Sequence, residues 1–128
     1  MIKFLLFFYE IIQNIIGALV VLFTGANKQG EYYVTHKTKN RFGVSLGEYI
    51  IFGYNPNETS VKHEMGHRKQ SRMLGPLYLI IGILSVCGNR YDKWFHKKWS
   101  IKKRVKWYYN QPWEKWADKL GGVERTFE

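Results

Sequence analysis

Two histidines four residues apart, with a glutamate directly after the first, stand at His63-Glu64-Met65-Gly66-His67. On a helix, residues at i and i+4 share a face, so both imidazoles can point at one metal ion. The residue after the first histidine projects beside that ion. A carboxylate there can take a proton from a metal-bound water and pass it to a leaving amine. Zinc suits these donors, lowers the pKa of its water and polarises a carbonyl. The pattern therefore points to hydrolysis of a peptide bond. Five residues make a short motif, so its surroundings have to support it.

A catalytic zinc usually has three protein ligands and one open position. His36, His96, Glu114, Asp118 and Glu124 are the remaining candidates. Glu114 leads them, because Glu114-Lys115-Trp116-Ala117-Asp118 puts two carboxylates on one helical face. One carboxylate could bind the ion while the other orients a ligand imidazole. An ordinary amphipathic helix with solvated acids shows the same spacing. Gly66 costs a helix about 1 kcal/mol relative to alanine. It predicts a close neighbour, either a strand or the helix carrying the third ligand. Gln70 and Ser71, one turn beyond His67, read as helix surface or packing, and His36 as a surface histidine. Cys87 is the only cysteine, which excludes an intrachain disulfide and a cysteine-rich zinc site. Its apolar neighbourhood predicts a small buried side chain.

The elements that must position these residues can be read from turn and cap signals. Asn55 predicts the cap of a helix with Pro56 at its first position and Glu58 where a capping box wants a carboxylate, and Gly75-Pro76 predicts its end. Pro112 opens a second helix and Gly121-Gly122 closes it. Residues 27–54 hold two β-prone runs around a polar loop and read as a hairpin or small antiparallel sheet. Residues 77–88 are apolar but short for a span, which predicts a buried core helix or a re-entrant segment.

The run over 3–24 is apolar except for Glu10, Gln13, Asn14 and Gly17, whose spacing gathers them on one helical stripe. It reads as a transmembrane helix with its polar stripe toward the protein, as a helix in the interface or packed on the domain, or as a cleaved signal peptide. The net charge of +10 favours anionic partners. Within 90–107, lysines and arginines alternate with Trp94, Phe95, Trp99 and Trp107. That mixture marks a membrane interface, a groove for single-stranded nucleic acid, or simply a solvated basic helix face, the apolar N-terminal run favouring the membrane. Basic flanks on both sides of 77–88 place the bulk of the chain on the cytoplasmic side. At 45% hydrophobic and 17% aromatic, the chain is not a disordered one.

His-Glu-Met-Gly-His followed by Glu-Lys-Trp-Ala-Asp resembles the gluzincin, thermolysin-like zinc metallopeptidases. The stretches around both motifs also resemble a group of small membrane-associated, zincin-like bacterial and phage proteins. The resemblance implies His63, His67 and Glu114 as ligands of one zinc, Glu64 as general base and acid, and Asp118 as support for an imidazole. It implies a strand along the cleft before the motif helix, for which 43–53 is the natural segment. The oxyanion stabiliser is unassigned, with Tyr108, Tyr109 and His96 as candidates. The chain is much shorter than a typical gluzincin peptidase. The expected fold is a minimal α+β, zincin-like one: a hydrophobic anchor helix over 1–26, then a domain over 27–128 with a small antiparallel sheet, the histidine helix and the C-terminal carboxylate helix. The expected function is a membrane-associated zinc metallopeptidase acting on a peptide or protein. The alternative is a non-catalytic zinc-binding module for membrane or nucleic acid.

Overall fold

The structure, a computed structural model, describes residues 2, 5, 9–36 and 42–125. Parts of two expectations, residues 3, 4 and 6–8 of the apolar run and 37–41 of the polar loop, lie outside the described residues. The architecture is α+β, as expected.

Helix α1 covers Ile11–Thr24 and ends on Gly25 in the left-handed conformation. Its polarity is inverted. Glu10, Gln13, Asn14 and Gly17 are buried, while Ile12, Ile15, Ile16, Leu19, Leu22 and Phe23 face outward. Three residues of the polar stripe bond to later parts of the chain. Ser71 Oγ donates to the Glu10 carboxylate, Gln13 Nε2 donates to the Gly75 carbonyl, and Asn14 Oδ1 accepts from Glu48 N–H at 2.7 Å.

Four short strands follow: β1 (Asn27–Gln29), β2 (Tyr32–Val34), β3 (Gly43–Leu46) and β4 (Tyr49–Phe52). Their order is β1-β2-β4-β3. Each local hairpin is antiparallel, but β2 and β4 pair in parallel, so the sheet is mixed rather than antiparallel. β3 lies beyond β4 and runs against it, so β4 runs in the direction of β2. Ile50, Ile51 and Phe52 are buried on both faces of central β4 and with Val34 form the apolar core. Among the described residues β3 is an edge strand, its outer side pairing with no other strand.

Helix α2 (Glu58–Leu74) starts two residues later than expected. Asn57, not Asn55, is the cap, its Oδ1 accepting from Ser60 N–H at 2.8 Å. That leaves Pro56 outside the helix and Glu58 at its first position. Gly75–Leu77 form one 3₁₀ turn that leads into α3 (Tyr78–Phe95).

Only Tyr78 and Gly88 of α3 are buried, so the expected buried core helix over 77–88 is not what forms. Cys87 is likewise exposed rather than buried. An apolar run looks the same in sequence whether protein covers it or not, and here most of it has no protein on its outer side. The Glu58–Phe95 stretch is long and apolar enough, by length and composition, to cross or associate with a membrane. Helix α4 (Ile101–Tyr109) is capped by Ser100, and α5 (Pro112–Gly121) opens on Pro112 and closes on left-handed Gly122.

Helices α2 and α5 cross at glycines. A Cβ on Gly66 would lie 1.8 Å from the Ala117 carbonyl oxygen, and one on Gly121 would lie 1.9 Å from the Lys62 carbonyl oxygen. The close neighbour implied by Gly66 is therefore the helix that carries Glu114.

Candidate metal centre

The α2–α5 crossing sets the inward face of one helix against that of the other. The His63 and His67 rings stand edge to face, 4.7 Å between centroids. Both Nε2 atoms lie 2.9 Å from the same oxygen, Oε2 of Glu114. All three residues are buried, and their donor atoms lie within 4.8 Å of one another.

The outer nitrogens explain this convergence. His63 Nδ1 is 2.6 Å from Asp118 Oδ1, and His67 Nδ1 is 2.7 Å from Gln70 Oε1. Gln70 Nε2 donates to the Trp113 carbonyl, so its oxygen is the atom turned to the imidazole. Both partners of Nδ1 are acceptors, which puts the ring proton on Nδ1 and leaves Nε2 of a neutral ring as a lone pair. Two such lone pairs and a carboxylate oxygen facing one another require a cation between them. A proton can serve, and so can a metal ion: the His63, His67 and Glu114 group could hold one.

The charges follow the geometry. Burial alone would push His63 down, but hydrogen bonds to Asp118 and Glu114 outweigh it and raise its pKa to about 9. Burial also opposes the charge on His67, and its bond to Glu114 prevails, so its pKa too is raised. Burial would lift Glu114, yet the two histidines hold it well below the ordinary carboxylate range. Its second oxygen accepts from Ser85 Oγ and from Tyr108 Oη at 3.1 Å. Asp118 is anchored from outside by Arg125, whose Nε lies 2.6 Å from Oδ2. The Arg125 guanidinium also sits 3.5 Å over the Tyr109 ring, which meets His63 edge to face.

Glu64 differs from every other group here. It is buried, burial raises its pKa, and its Oε2 has no hydrogen-bond partner among the described residues. With His63, His67 and Glu114 it lines a cavity of 790 Å³ that reaches along β3, α3 and α4.

His36 and Glu124 are exposed and lie apart from this group. The structure does not bring His96 to it either. That side chain is buried against Asp92, Trp99 and Trp107, with its ring stacked on Trp99. Tyr108 is committed to Glu114, which leaves Tyr109 as the phenol beside His63. Gln70, read from the sequence as surface or packing, is fully buried and holds His67. Its position three residues after His67 was the available signal. Ser85 and Arg125 carried none, since an apolar run and a chain end conceal what they approach in space.

No family model matches the chain, and no curated protein or solved structure matches it.

Proposed function

We propose that this chain is a zinc-dependent endopeptidase working at a membrane surface. The observation that carries the proposal is Glu64, a buried carboxylate with one unpartnered oxygen, next to a prospective ligand and lining an open cavity. A purely structural site would more usually close on four ligands, commonly cysteines, and would need no such group. Zinc fits the two imidazoles and the carboxylate, and when held by His63, His67 and Glu114 it would supply Lewis acidity at the scissile carbonyl. Glu64 then takes the proton of the attacking water and returns it to the leaving amine. Tyr109, whose pKa burial raises to about 12 although Arg125 opposes the shift, stays protonated and can donate to the developing oxyanion.

The open edge of β3 supports binding of an extended peptide. Gly53 N–H donates to the Phe42 carbonyl, so Phe42, Val44 and Leu46 bond to β4. The backbone groups of Gly43 and Ser45 turn to the open side. Tyr78 already donates to the Ser45 carbonyl, while Gly43 lies beside the Glu64 carboxyl and can pair with a substrate strand. The outward faces of α1 and α3 favour lipid over nucleic acid, and the basic flanks of α3 support a cytoplasmic orientation of the domain.

The test is metal content by elemental analysis beside cleavage of an unstructured fluorogenic peptide. Wild type should carry about one zinc per chain, which His63→Ala loses and Glu64→Gln keeps. Glu64→Gln should lower the rate by about 10²–10⁴-fold. Zinc bound without Glu64-dependent cleavage would make the chain a non-catalytic zinc module. Absence of zinc uptake would end both readings.

A further inference from the structure

The cavity at the metal centre has an apolar mouth. Val86 of α3 and Ile101 of α4 both line it, yet they are 62% and 79% exposed. Val86 also adjoins the outward face of α3, next to exposed Ile83 and, one turn earlier, Ile80. One side chain therefore serves the rim of the cleft and the uncovered apolar face at once. Tyr9, just before α1, donates its Oη to the Met73 carbonyl at the end of α2, so the start of α1 lies near the start of α3.

Along α3 the chemistry changes in a set order. Aliphatic side chains come first, then exposed Tyr91, Trp94 and Phe95 interleaved with exposed Arg90 and Lys93, and past the helix end exposed Lys97, Lys98, Lys102 and Lys103. Hydrocarbon, interface and anionic headgroup present complementary layers in the same order. With the helix seated that way, the mouth between Val86 and Ile101 lies on the lipid side of the domain. Inside, Gly82 leaves open space where any other residue would project a side chain, and Leu79 and Val105 continue the apolar wall.

We propose that the cleft is loaded from the bilayer and that its substrates are apolar segments of membrane-embedded proteins. The proposal rests on the peptidase reading and adds the route and the substrate class. Such a segment reaches the mouth without leaving lipid. Unwinding it would strand backbone N–H and C=O groups in hydrocarbon, which is costly. The open groups of Gly43 offer partners for them at the point of cleavage.

The experiment uses the full, zinc-loaded chain in vesicles of phosphatidylethanolamine with phosphatidylglycerol. One fluorogenic sequence is supplied in two forms, as a soluble peptide and attached to an apolar anchor of about 20 residues. Ile83→Asp changes the outward face of α3 and does not line the cleft. Ile80→Asp is the parallel variant should the first fail to retain zinc. The anchored peptide should be cut about tenfold faster or more when it shares vesicles with the enzyme than when the two sit in separate vesicles. Either variant should abolish that advantage and leave cleavage of the soluble peptide unchanged. An equal rate on both peptides would overturn lipid-side loading and leave the peptidase standing. An advantage that persists in both variants would also overturn it, since co-localisation alone would then explain the rate. Failure to cut either peptide, with wild type matching Glu64→Gln, would remove the peptidase reading and this one with it.

Discussion

Gly66→Ala adds one methyl group at the point where α2 meets α5. That methyl would sit 1.8 Å from the Ala117 carbonyl oxygen, whereas ordinary contact begins at 3.4 Å. Backbone cannot swing aside as a flexible side chain can, so α5 has to withdraw by about 1.6 Å. Glu114 and Asp118 both ride on α5. Metal–ligand distances tolerate only about 0.2 Å, so the movement takes one ligand, and the support of another, out of range. Overpacking costs about 1–3 kcal/mol, and the helix recovers about 0.5–1 kcal/mol from replacing glycine by alanine. The metal-free variant should therefore lose up to about 2.5 kcal/mol of stability. Its zinc affinity should fall by about 10–100-fold or more. Chelator competition reads the affinity, and denaturant unfolding of metal-free protein reads the stability. Gly82→Ala is the control: it makes the same helical gain where nothing lies within 4 Å. If Gly66→Ala behaves like Gly82→Ala, with unchanged zinc affinity and raised stability, the helices do not cross where the reasoning requires.

The outer partners of the imidazoles give a second expectation. Asp118→Asn and Gln70→Leu should each weaken zinc binding by about 10–100-fold while leaving the ligands in place, and unchanged affinity in both would show that they orient nothing. Zinc uptake should also depend on pH. His63 in the metal-free protein keeps its proton up to a pKa of about 9, and the metal has to displace it. Affinity should therefore rise from pH 6.5 to about 9, with proton release seen by calorimetry in two buffers; a flat profile over that range would refute the assignment. Finally, Phe23 is 84% exposed at the end of α1. Burying such a ring in lipid is worth about 1.5–3 kcal/mol, so Phe23→Lys should reduce vesicle co-sedimentation by about tenfold or more. No change would place α1 away from the bilayer.

Signals that act within one turn or one strand were legible in the sequence. The Glu10, Gln13, Asn14 and Gly17 stripe was visible as a stripe, and the structure turns it inward. Pro112 and Gly122 bound α5 because each matches the backbone its position needs. Features that depend on how elements meet were not legible. The parallel pairing of β2 with β4 follows from the place of β3 beyond β4, and neither strand encodes it. The exposure of α3 escaped because its composition suits a core and a lipid face equally. The meeting of His63 and His67 with Glu114 needed two helices to present the right faces; spacing puts each group on a face but does not say which faces touch. The cap moved from Asn55 to Asn57 because two asparagines bracket the proline and either can supply the same oxygen.

The polar stripe of α1 has a consequence for synthesis. Its partners are made long after it: Glu48 comes 34 residues after Asn14, Ser71 comes 61 after Glu10, and Gly75 comes 62 after Gln13. At about 5–20 residues per second, Gln13 waits about 3–12 s for the carbonyl it will bind. Throughout that interval the apolar outer face of the helix is complete and its inner face is not. On the membrane reading, the nascent chain settles in lipid before its domain exists. The bilayer then holds the helix with its polar stripe upward, and the sheet and α2 assemble over it as they emerge.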